Sequence, residues 1–359
     1  MTARPLRPNV RREATGCRIW STLLFLVLQA GCATGVGETP PATVQPAPAV
    51  PPPLAANAGS GAAAAPAVEE RVKGPPGVEA PAVVDCGATP TDMACVPGGW
   101  HPRGVDEDRD GCKQADEPRS GPASMPSAMV WNQSFWMDKY EVTISDYGLC
   151  MRSGKCPEAG PLYVDFSNPK QPITGGSWYD AAAYCSWRGK RLPTEAEFEL
   201  AARGPEGEKT PFGNELVSCE NAVIMDERGR SCGITKRGRH PEKGKVLLVG
   251  SRAAGRYGIF DLVGNAEEWV ADWWSPSWES CGEDCLGINP KGPCGGGATP
   301  CKGHTNKTVR GGSWFWGPEC ATGVRRRRHV PSNHPGHHFG FRCAADAGSA
   351  VRLPDGNEN

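Results

Sequence analysis

The hydrophobic and polar positions between residues 135 and 204 predict one strand followed by three helices. Apolar and polar side chains alternate over residues 135–142, which is the period of a strand with one buried face. Three capping boxes follow, in which a Ser or Thr and an acidic residue three positions later satisfy free N–H groups at a helix start. The boxes are Thr143 with Asp146, Ser177 with Asp180, and Thr194 with Glu197. We expect the first two helices to end near Gly154 and Gly189.

Residues 257–274 have no regular period and predict a turn-rich segment that leaves main-chain carbonyls free. Gly258 and Gly264 interrupt any long element, and the segment carries four carboxylates and three tryptophans. Two of the carboxylates and two carbonyls match the oxygen ligands that Ca²⁺ prefers. The candidate calcium ligands are Asp261, Gly264, Ala266 and Glu268. The alternative is that Asp261 and Glu268 only cap the loop and a short helix after it.

The first 85 residues differ in pattern from the rest of the chain. Five Arg precede or open an apolar run at residues 19–28, which is too short to span a bilayer and reads as an export signal over residues 1–31. Residues 28–32 resemble a bacterial lipobox, so we expect cleavage before Cys32 and lipidation of its thiol, with ordinary secretion as the alternative. Residues 32–85 are rich in Ala and Pro and have no aromatic side chain, which predicts a disordered tether.

This organisation predicts a domain at residues 86–347, a tail at residues 348–359 and a lipid-anchored place in the cell envelope, on the periplasmic or outer-membrane face. Removing residues 1–31 takes away five Arg and one Glu, which moves the formal charge from −1 to −5. A mildly acidic protein is a poor partner for nucleic acid. The sixteen Cys also fit an oxidising compartment, where disulfides persist.

A second candidate calcium site lies in residues 106–117, whose sequence fits the acidic loop pattern D-x-D-x-D-G-x5-E. Prolines at 102 and 118 exclude the paired helices of a complete EF-hand, so only an isolated loop is expected. The candidate ligands are the side chains of Asp106, Asp108, Asp110 and Glu117 and the carbonyl of Cys112. The alternative is a solvated acidic insertion.

Cysteine spacing predicts local cross-links. Cys150 and Cys156 flank the end of the first predicted helix, where a disulfide would staple the turn to the helix. Four more cysteines lie in a Gly- and Pro-rich insertion at residues 275–308 that has too few apolar residues to fold by burial alone. Fourteen Cys follow Cys32, an even number that allows complete pairing, although the connectivity is not fixed by the sequence.

Three ordered motifs resemble the formylglycine-generating enzyme family, also called sulfatase-modifying factors. They are YGIFDLVGNAEEWVADWW at residues 257–274, WYDAAAYCSWRGKRLPTEAEFELAARG at residues 178–204, and VRGGSW with a later GFRCA between residues 309 and 344. The resemblance implies an irregular α+β single domain related to C-type lectin folds. It also implies calcium as a cofactor, a Cys185–Cys343 disulfide, and a Cys219–Cys232 disulfide where the family usually places another calcium ion.

The same resemblance argues against the family's chemistry. In the family's enzymes two thiolates, three and eight residues beyond the Ser of the RGGS turn, hold copper(I). Here those positions are Trp316 and Ala321, Cys320 is one residue away, and Glu267 replaces an active-site Trp. We therefore expect a non-catalytic binding or accessory module, with a formylglycine-generating oxidase using copper and Cys320 as the alternative. The expected groove for a protein, peptide or glycan is formed by Ser313, Trp314, Trp316 and Arg325. The alternative is that Trp314, Phe315 and Trp316 only fill the gap that the lost site left.

Two basic clusters follow the RGGS turn. In an extended segment, Arg325 and Arg327 face opposite to Arg326 and Arg328, so one pair would meet acidic core residues. The other pair would hold a carboxylate or phosphate, or remain solvated. Four His, at 329, 334, 337 and 338, would bind zinc or copper, or only belong to a loop.

Overall fold

The computed structural model describes residues 72–106, 112, 125–160, 163–332 and 337–352. The predicted export signal, Cys32 and most of the tether lie outside these residues, as do Asp108, Asp110, Glu117 and His334. None of the helices in the part of the chain that the structure describes is long and apolar enough to cross a membrane.

The domain combines short strands with four α-helices among the described residues, as the expected α+β class requires. The strands are β1 Met93–Val96, β2 Gly99–Arg103, β3 Ala128–Asn132, β4 Phe135–Asp138, β5 Glu267–Trp273, β6 Gly287–Ile288, β7 Lys307–Arg310, β8 Arg326–His329, β9 Phe339–Gly340 and β10 Ala344–Asp346. The helices are α1 Ile144–Arg152, α2 Trp178–Trp187, α3 Glu195–Arg203 and α4 Trp278–Cys281. Short 3₁₀ helices lie at Arg230–Gly233, Pro241–Lys243, Gly282–Asp284, Pro293–Gly296 and Pro318–Cys320.

The strands form three small sheets, with the orders β1-β4-β10, β2-β3-β6 and β8-β7-β5-β9. Pairing is antiparallel except between β3 and β6 and between β5 and β9. The last sheet joins the middle of the chain to its C-terminal part, since β5 lies between β7 and β9. β7 is an interior strand of this sheet, between β8 and β5, and is buried along its length. The turn that follows β7 therefore starts inside the domain.

The three predicted capping boxes are all present and begin α1, α2 and α3. The predicted strand is shorter than expected, because β4 ends at Asp138 rather than Val142. Beyond Asp138 the backbone leaves β1 and finds other partners: the Lys139 carbonyl accepts from Phe260 N–H, and Val142 N–H donates to the Phe341 carbonyl. Residues 139–142 thus connect the sheet to α1.

Residues 257–266 turn as predicted, but the segment after them is a strand and not the short helix of our alternative reading. Asp261, Gly264 and Asn265 all have positive φ, which the turn requires. The following residues form β5, buried at every position except Ala271. Two neighbouring strands and the burial of Trp269 and Trp273 favour the extended form, in which both faces of the strand are covered.

Glu195, at the start of α3, is the centre of a buried ion-pair network. Its side chain is 1% exposed and accepts hydrogen bonds from three guanidinium groups. These come from Arg103 at 3.1 Å, Arg310 at 3.0 Å and Arg326 at 2.6 and 2.8 Å. Glu199 lies one helical turn further and pairs with Arg310 at 2.9 Å and Arg203 at 2.6 Å. The network connects β2, β7 and β8 to α3.

All fourteen cysteines after Cys32 form disulfides. The predicted pairs Cys185–Cys343, Cys150–Cys156 and Cys219–Cys232 are present, and the insertion contains the local pairs Cys281–Cys285 and Cys294–Cys301. Cys86–Cys95 joins the start of the domain to β1. The seventh pair, Cys112–Cys320, connects positions 208 residues apart.

The insertion at residues 275–308 is also held by a buried lysine that sequence reasoning missed. Lys307 Nζ donates to the carbonyls of Ala271, Gly296 and Gly297. The ammonium also lies 3.8 Å and 4.1 Å from the ring centres of Trp178 and Trp273. Burial lowers the pKa of Lys307 to about 7. The two local disulfides and these contacts of Lys307 together stabilise the insertion, which lacks an apolar core of its own.

Candidate functional site

The RGGS turn that follows β7 is fixed by its packing. Arg310 is anchored on Glu195 and Glu199, so the turn begins from the buried network. Gly311 and Gly312 have φ of +91° and +70°, and a Cβ on Gly312 would lie 2.2 Å from the Cys320 carbonyl oxygen. Only glycine fits this close approach. The turn therefore places residues 313–321 against the middle of the domain.

The two positions that would hold thiolates in the family's enzymes are packed with other side chains. Ala321 is fully buried. The Trp316 carbonyl accepts from Met225 N–H at 2.8 Å, and its ring lies 4.7 Å from that of Phe315. Trp316 Nε1 is buried without a hydrogen-bond partner among the described residues. No soft ligand is available at either position, so the residues do not fit a copper(I) site.

Cys320 is not the lone thiol that the sequence suggested. It is 2% exposed and bonded to Cys112, which lies in the acidic insertion between β2 and β3. The sulfur that would serve an oxidase is therefore already engaged. This pairing also gives Cys112 a structural role that the calcium-loop interpretation did not include. Of that loop's other candidate ligands, only Asp106 is described, and it accepts hydrogen bonds from Ser127 N–H and Oγ at 3.2 and 2.6 Å.

The expected groove is mostly closed, which corrects the sequence prediction for three of its four residues. Ser313 and Trp314 are buried, and Arg325 is 6% exposed. Trp314 packs on Phe166 and on the rings of His337 and His338, which fill the space beside the turn. Only Trp316, with its neighbour Phe315, remains partly exposed.

His338 lies within this aromatic group, between the two tryptophans. Its ring is nearly parallel to Trp314 at 5.7 Å and to Trp316 at 6.5 Å, and it meets Phe315 edge-on at 4.6 Å. Burial lowers the pKa of His338 to about 2, and the adjacent His337 and Arg327 act in the same direction. Burial lowers the pKa of His337 to about 4, and the positive charge of Arg230 acts in the same direction. Both imidazoles are therefore neutral at pH 7.

Basic residues surround the aromatic group. Arg326 and Arg327 lie on opposite faces of β8, and each pairs with a carboxylate: Arg326 with Glu195, Arg327 with Glu267 at 2.6 Å. The predicted contact of one pair with acidic core residues is made by Arg326, while Arg328 is exposed; in the other pair, Arg327 holds a carboxylate of the core itself. Among the described residues, no group of three or more His, Cys, Asp or Glu is arranged to hold a metal ion.

The candidate calcium residues of the 257–268 turn lie beside a buried carboxylate cluster. Burial and then the charges of Asp261 and Glu268 raise the pKa of Glu141 well above its ordinary value. The pKa values of Asp261 and Glu268 are also raised, mainly by burial. Arg342 binds both oxygens of Glu268, at 2.6 and 2.7 Å. Arg342 pairs with Glu268, and the charge of Arg252 also acts on Asp261, so two guanidinium groups face three buried carboxylates. Incompletely neutralised carboxylates of this kind are groups to which a hard cation binds.

The carboxylates of Asp261 and Glu141 accept hydrogen bonds from residues in and around this turn. Asp261 Oδ2 accepts from Gly250 N–H at 2.6 Å, and Glu141 accepts from Ala266 N–H and from the Asn265 amide. A carboxylate oxygen that accepts one hydrogen bond keeps a lone pair for a metal. The carboxylate and carbonyl oxygens of the turn are therefore of the donor type that calcium prefers. Sequence reasoning missed Glu141 and Arg342, although Arg342 stands inside the GFRCA motif.

The chain belongs to the family described as sulfatase-modifying factor enzyme 1-like domain, whose model matches residues 81–347. It is similar to the formylglycine-generating enzyme of Thermomonospora curvata, at 37% identity over 204 residues, which cover 54% of this chain and 61% of that enzyme. The Bos taurus formylglycine-generating enzyme is 36% identical over 188 residues, covering 52% and 47% of the two chains. The chain thus spans about half to three fifths of the length of these relatives.

Two further similarities concern activity and fold. The inactive C-alpha-formylglycine-generating enzyme 2 of Mus musculus is 31% identical over 188 residues, which cover 49% of this chain and 50% of that protein. The solved structure of PvdO from Pseudomonas aeruginosa has a TM-score of 0.52 and 23% identity, covering 71% of this chain and 94% of that one. The relatives of this chain therefore include proteins named as enzymes and one named as inactive, and the PvdO likeness concerns the fold.

Proposed function

We propose that this protein is a non-catalytic binding or accessory module of its family, acting on a protein or peptide partner. The observation that carries the proposal is the state of the two thiolate positions. Trp316 and Ala321 occupy them, and the nearby Cys320 is bonded to Cys112. A domain that keeps its fold but lacks the metal-ligating cysteines still has a surface on which a partner binds. The existence of a relative named as inactive supports the same reading.

An oxidase assay tests this proposal. The protein is incubated with copper(I), oxygen and a peptide carrying the sulfatase C-x-P-x-R sequence, and the peptide is weighed by mass spectrometry. We expect an unchanged mass, because no pair of thiolates is available to hold the metal. The formylglycine-generating enzyme of Thermomonospora curvata serves as the positive control. Conversion of the peptide Cys to an aldehyde would establish the alternative oxidase, and C320A would then show whether that sulfur is required.

We also propose that the turn at residues 257–268 binds calcium through Asp261, Gly264, Ala266 and Glu268. A site with a Kd on the order of 10 µM would add about 2.7 kcal/mol to the free energy of unfolding when the free calcium concentration is about one hundred times the Kd. We expect calcium to raise the thermal midpoint of the protein after dialysis against a chelator. D261N should lose this response, whereas D226N, at a partly buried carboxylate paired with Arg228, should keep it. An undiminished response in D261N would place the ion elsewhere, for instance in the 106–117 loop.

The N-terminal pattern supports a further part of the proposal, that the protein is anchored in the cell envelope through a lipid on Cys32. Its expected signature is incorporation of labelled palmitate into the protein in cells and its loss in C32A. Label retained in C32A would exclude this anchor, and secreted, unlabelled wild-type protein would favour ordinary export.

A further inference from the structure

Arg230 is a partly buried cation that has no acidic partner within ion-pair distance among the described residues. Its guanidinium carbon lies 3.3 Å above the centre of the Phe315 ring, which holds the side chain in place. The buried cations Arg310, Arg326 and Arg342 are each paired with a glutamate. Burial lowers the pKa of Arg230, and only the charge of Glu242 opposes this shift. The guanidinium is therefore positioned but not neutralised.

Three further polar atoms beside Phe315 also have no partner in the described part of the chain. They are Trp316 Nε1, His337 Nδ1 and His338 Nδ1, all buried. Phe315 connects them to Arg230, since its ring lies 4.7 Å from Trp316 and 4.6 Å from His338. The indole is a hydrogen-bond donor, and each neutral imidazole donates from one of its two nitrogens. Buried polar atoms of this kind are usually satisfied, so three unsatisfied atoms on neighbouring rings indicate a missing partner.

The charge around these atoms selects an anion. Lys236, Lys243 and Arg327 lie near the two imidazoles, and each lowers the pKa of one of them. Glu267 is engaged by Arg327, and Glu242, whose charge acts on Arg230, forms no ion pair with it among the described residues. A carboxylate suits the planar guanidinium of Arg230, which donates two parallel hydrogen bonds to such a group. A peptide whose essential residue is Arg, such as C-x-P-x-R, would meet like charge here.

An apolar shelf beside the imidazoles favours a peptide as the carrier of this carboxylate. Tyr163 lies 4.7 Å from His337 and is 44% exposed, and Val164 and Ile234 are 53% and 40% exposed. Exposed apolar side chains next to a charged anchor point are typical of a surface that binds a partner. They would contact the residues flanking an acidic side chain.

We infer that Arg230, Phe315, Trp316 and His338, here called the cationic aromatic site, bind the carboxylate of an acidic peptide. This inference rests on the proposed function and gives it a ligand class. The Arg230 guanidinium holds the carboxylate, Trp316 and the imidazoles donate to it, and the shelf receives the neighbouring apolar residues. The site lies beside the RGGS turn, where the family's enzymes have their thiolates, and is selective for a charge opposite to that of the C-x-P-x-R arginine.

The test uses three degenerate peptide pools in which a central Glu, Gln or Lys is flanked by three random residues on each side. The full chain is immobilised, each pool is passed over it, and the captured peptides are quantified by mass spectrometry. We expect at least tenfold more capture from the Glu pool than from the Gln pool, and less still from the Lys pool. R230Q should remove the preference for Glu, and W316F, which keeps a ring but loses the donor, should weaken it severalfold.

R228Q is the matched control, because Arg228 is two residues away and exposed and forms its own pair with Asp226. It should retain the full preference. Equal capture of the Glu and Gln pools, or an unchanged preference in R230Q, would overturn the inference. A glucuronate oligosaccharide that displaces the peptides at equal or lower concentration would also overturn it, in favour of a glycan. These outcomes are independent of the oxidase assay, so a failed inference leaves the non-catalytic proposal standing.

Discussion

E195Q is expected to lower the free energy of unfolding of this protein by about 3–5 kcal/mol, since breaking a buried ion pair leaves unpaired charge in the interior. Glutamine keeps the shape of Glu195 but removes the charge that faces Arg103, Arg310 and Arg326, each within 3.1 Å. The remaining carboxylates, Glu199 and Asp272, are too few for three guanidinium groups. Equilibrium urea unfolding under non-reducing conditions measures the change.

E279Q, at an exposed glutamate of α4, is the control and should change stability little. A loss below about 1 kcal/mol in E195Q would show that Glu199 and Asp272 neutralise the network without Glu195. The wild-type protein offers a second measurement. The charges of Arg310 and Arg203 lower the pKa of Glu199 to about 2 despite its burial, so its contribution is complete above about pH 4.5 and is lost as pH falls towards 2.

Replacing Cys185 and Cys343 with Ala is expected to reduce stability by about 5 kcal/mol, through the loop-closure entropy regained by the unfolded chain. The two positions are 158 residues apart and join α2 to the segment before β10. Both side chains are completely buried in the hydrophobic cluster that contains Tyr147, Trp178 and Trp269, so the substitution also removes packing. The urea midpoint of the double variant compared with wild type measures the effect.

The matched control is the double variant C281A/C285A, whose loop closes over a separation of only 4 residues. The same entropy argument predicts a loss of about 2 kcal/mol there. Equal losses in the two double variants would mean that loop length does not govern disulfide stabilisation in this protein. The difference would then have to come from local packing.

Three of the four α-helices among the described residues were predictable from the sequence because their start signals are local; the short α4 was not predicted. Thr143, Ser177 and Thr194 each satisfy backbone N–H groups within four residues, and no distant contact is needed to recognise them. The local disulfides were accessible for the same reason. The carboxylates of the 257–268 turn were also apparent, since they lie within one motif.

The strand β5 and the polar partners of the site depend on distant residues. Glu267–Trp273 carries three acidic residues, which are uncommon in a buried strand. It forms a strand because distant segments of the same chain supply the pairing strands and the guanidinium groups of Arg327 and Arg342. Glu141 lies more than a hundred residues before the turn it contacts. The pairing of Cys112 with Cys320 spans 208 residues. Neither periodicity nor spacing encodes such contacts.

The Cys112–Cys320 bond affects how function is assigned to this chain from sequence motifs. A survey that assigns formylglycine production to any chain with a cysteine shortly after an RGGS turn would count this protein as an enzyme. Its Cys320 is one residue from the expected place, and its sulfur is joined to a cysteine that an upstream insertion supplies. The proposed non-catalytic role gives two criteria for telling such chains from formylglycine-generating enzymes: the enzymes would have two thiols at the required spacing and no additional cysteine in the stretch between the second and third strands.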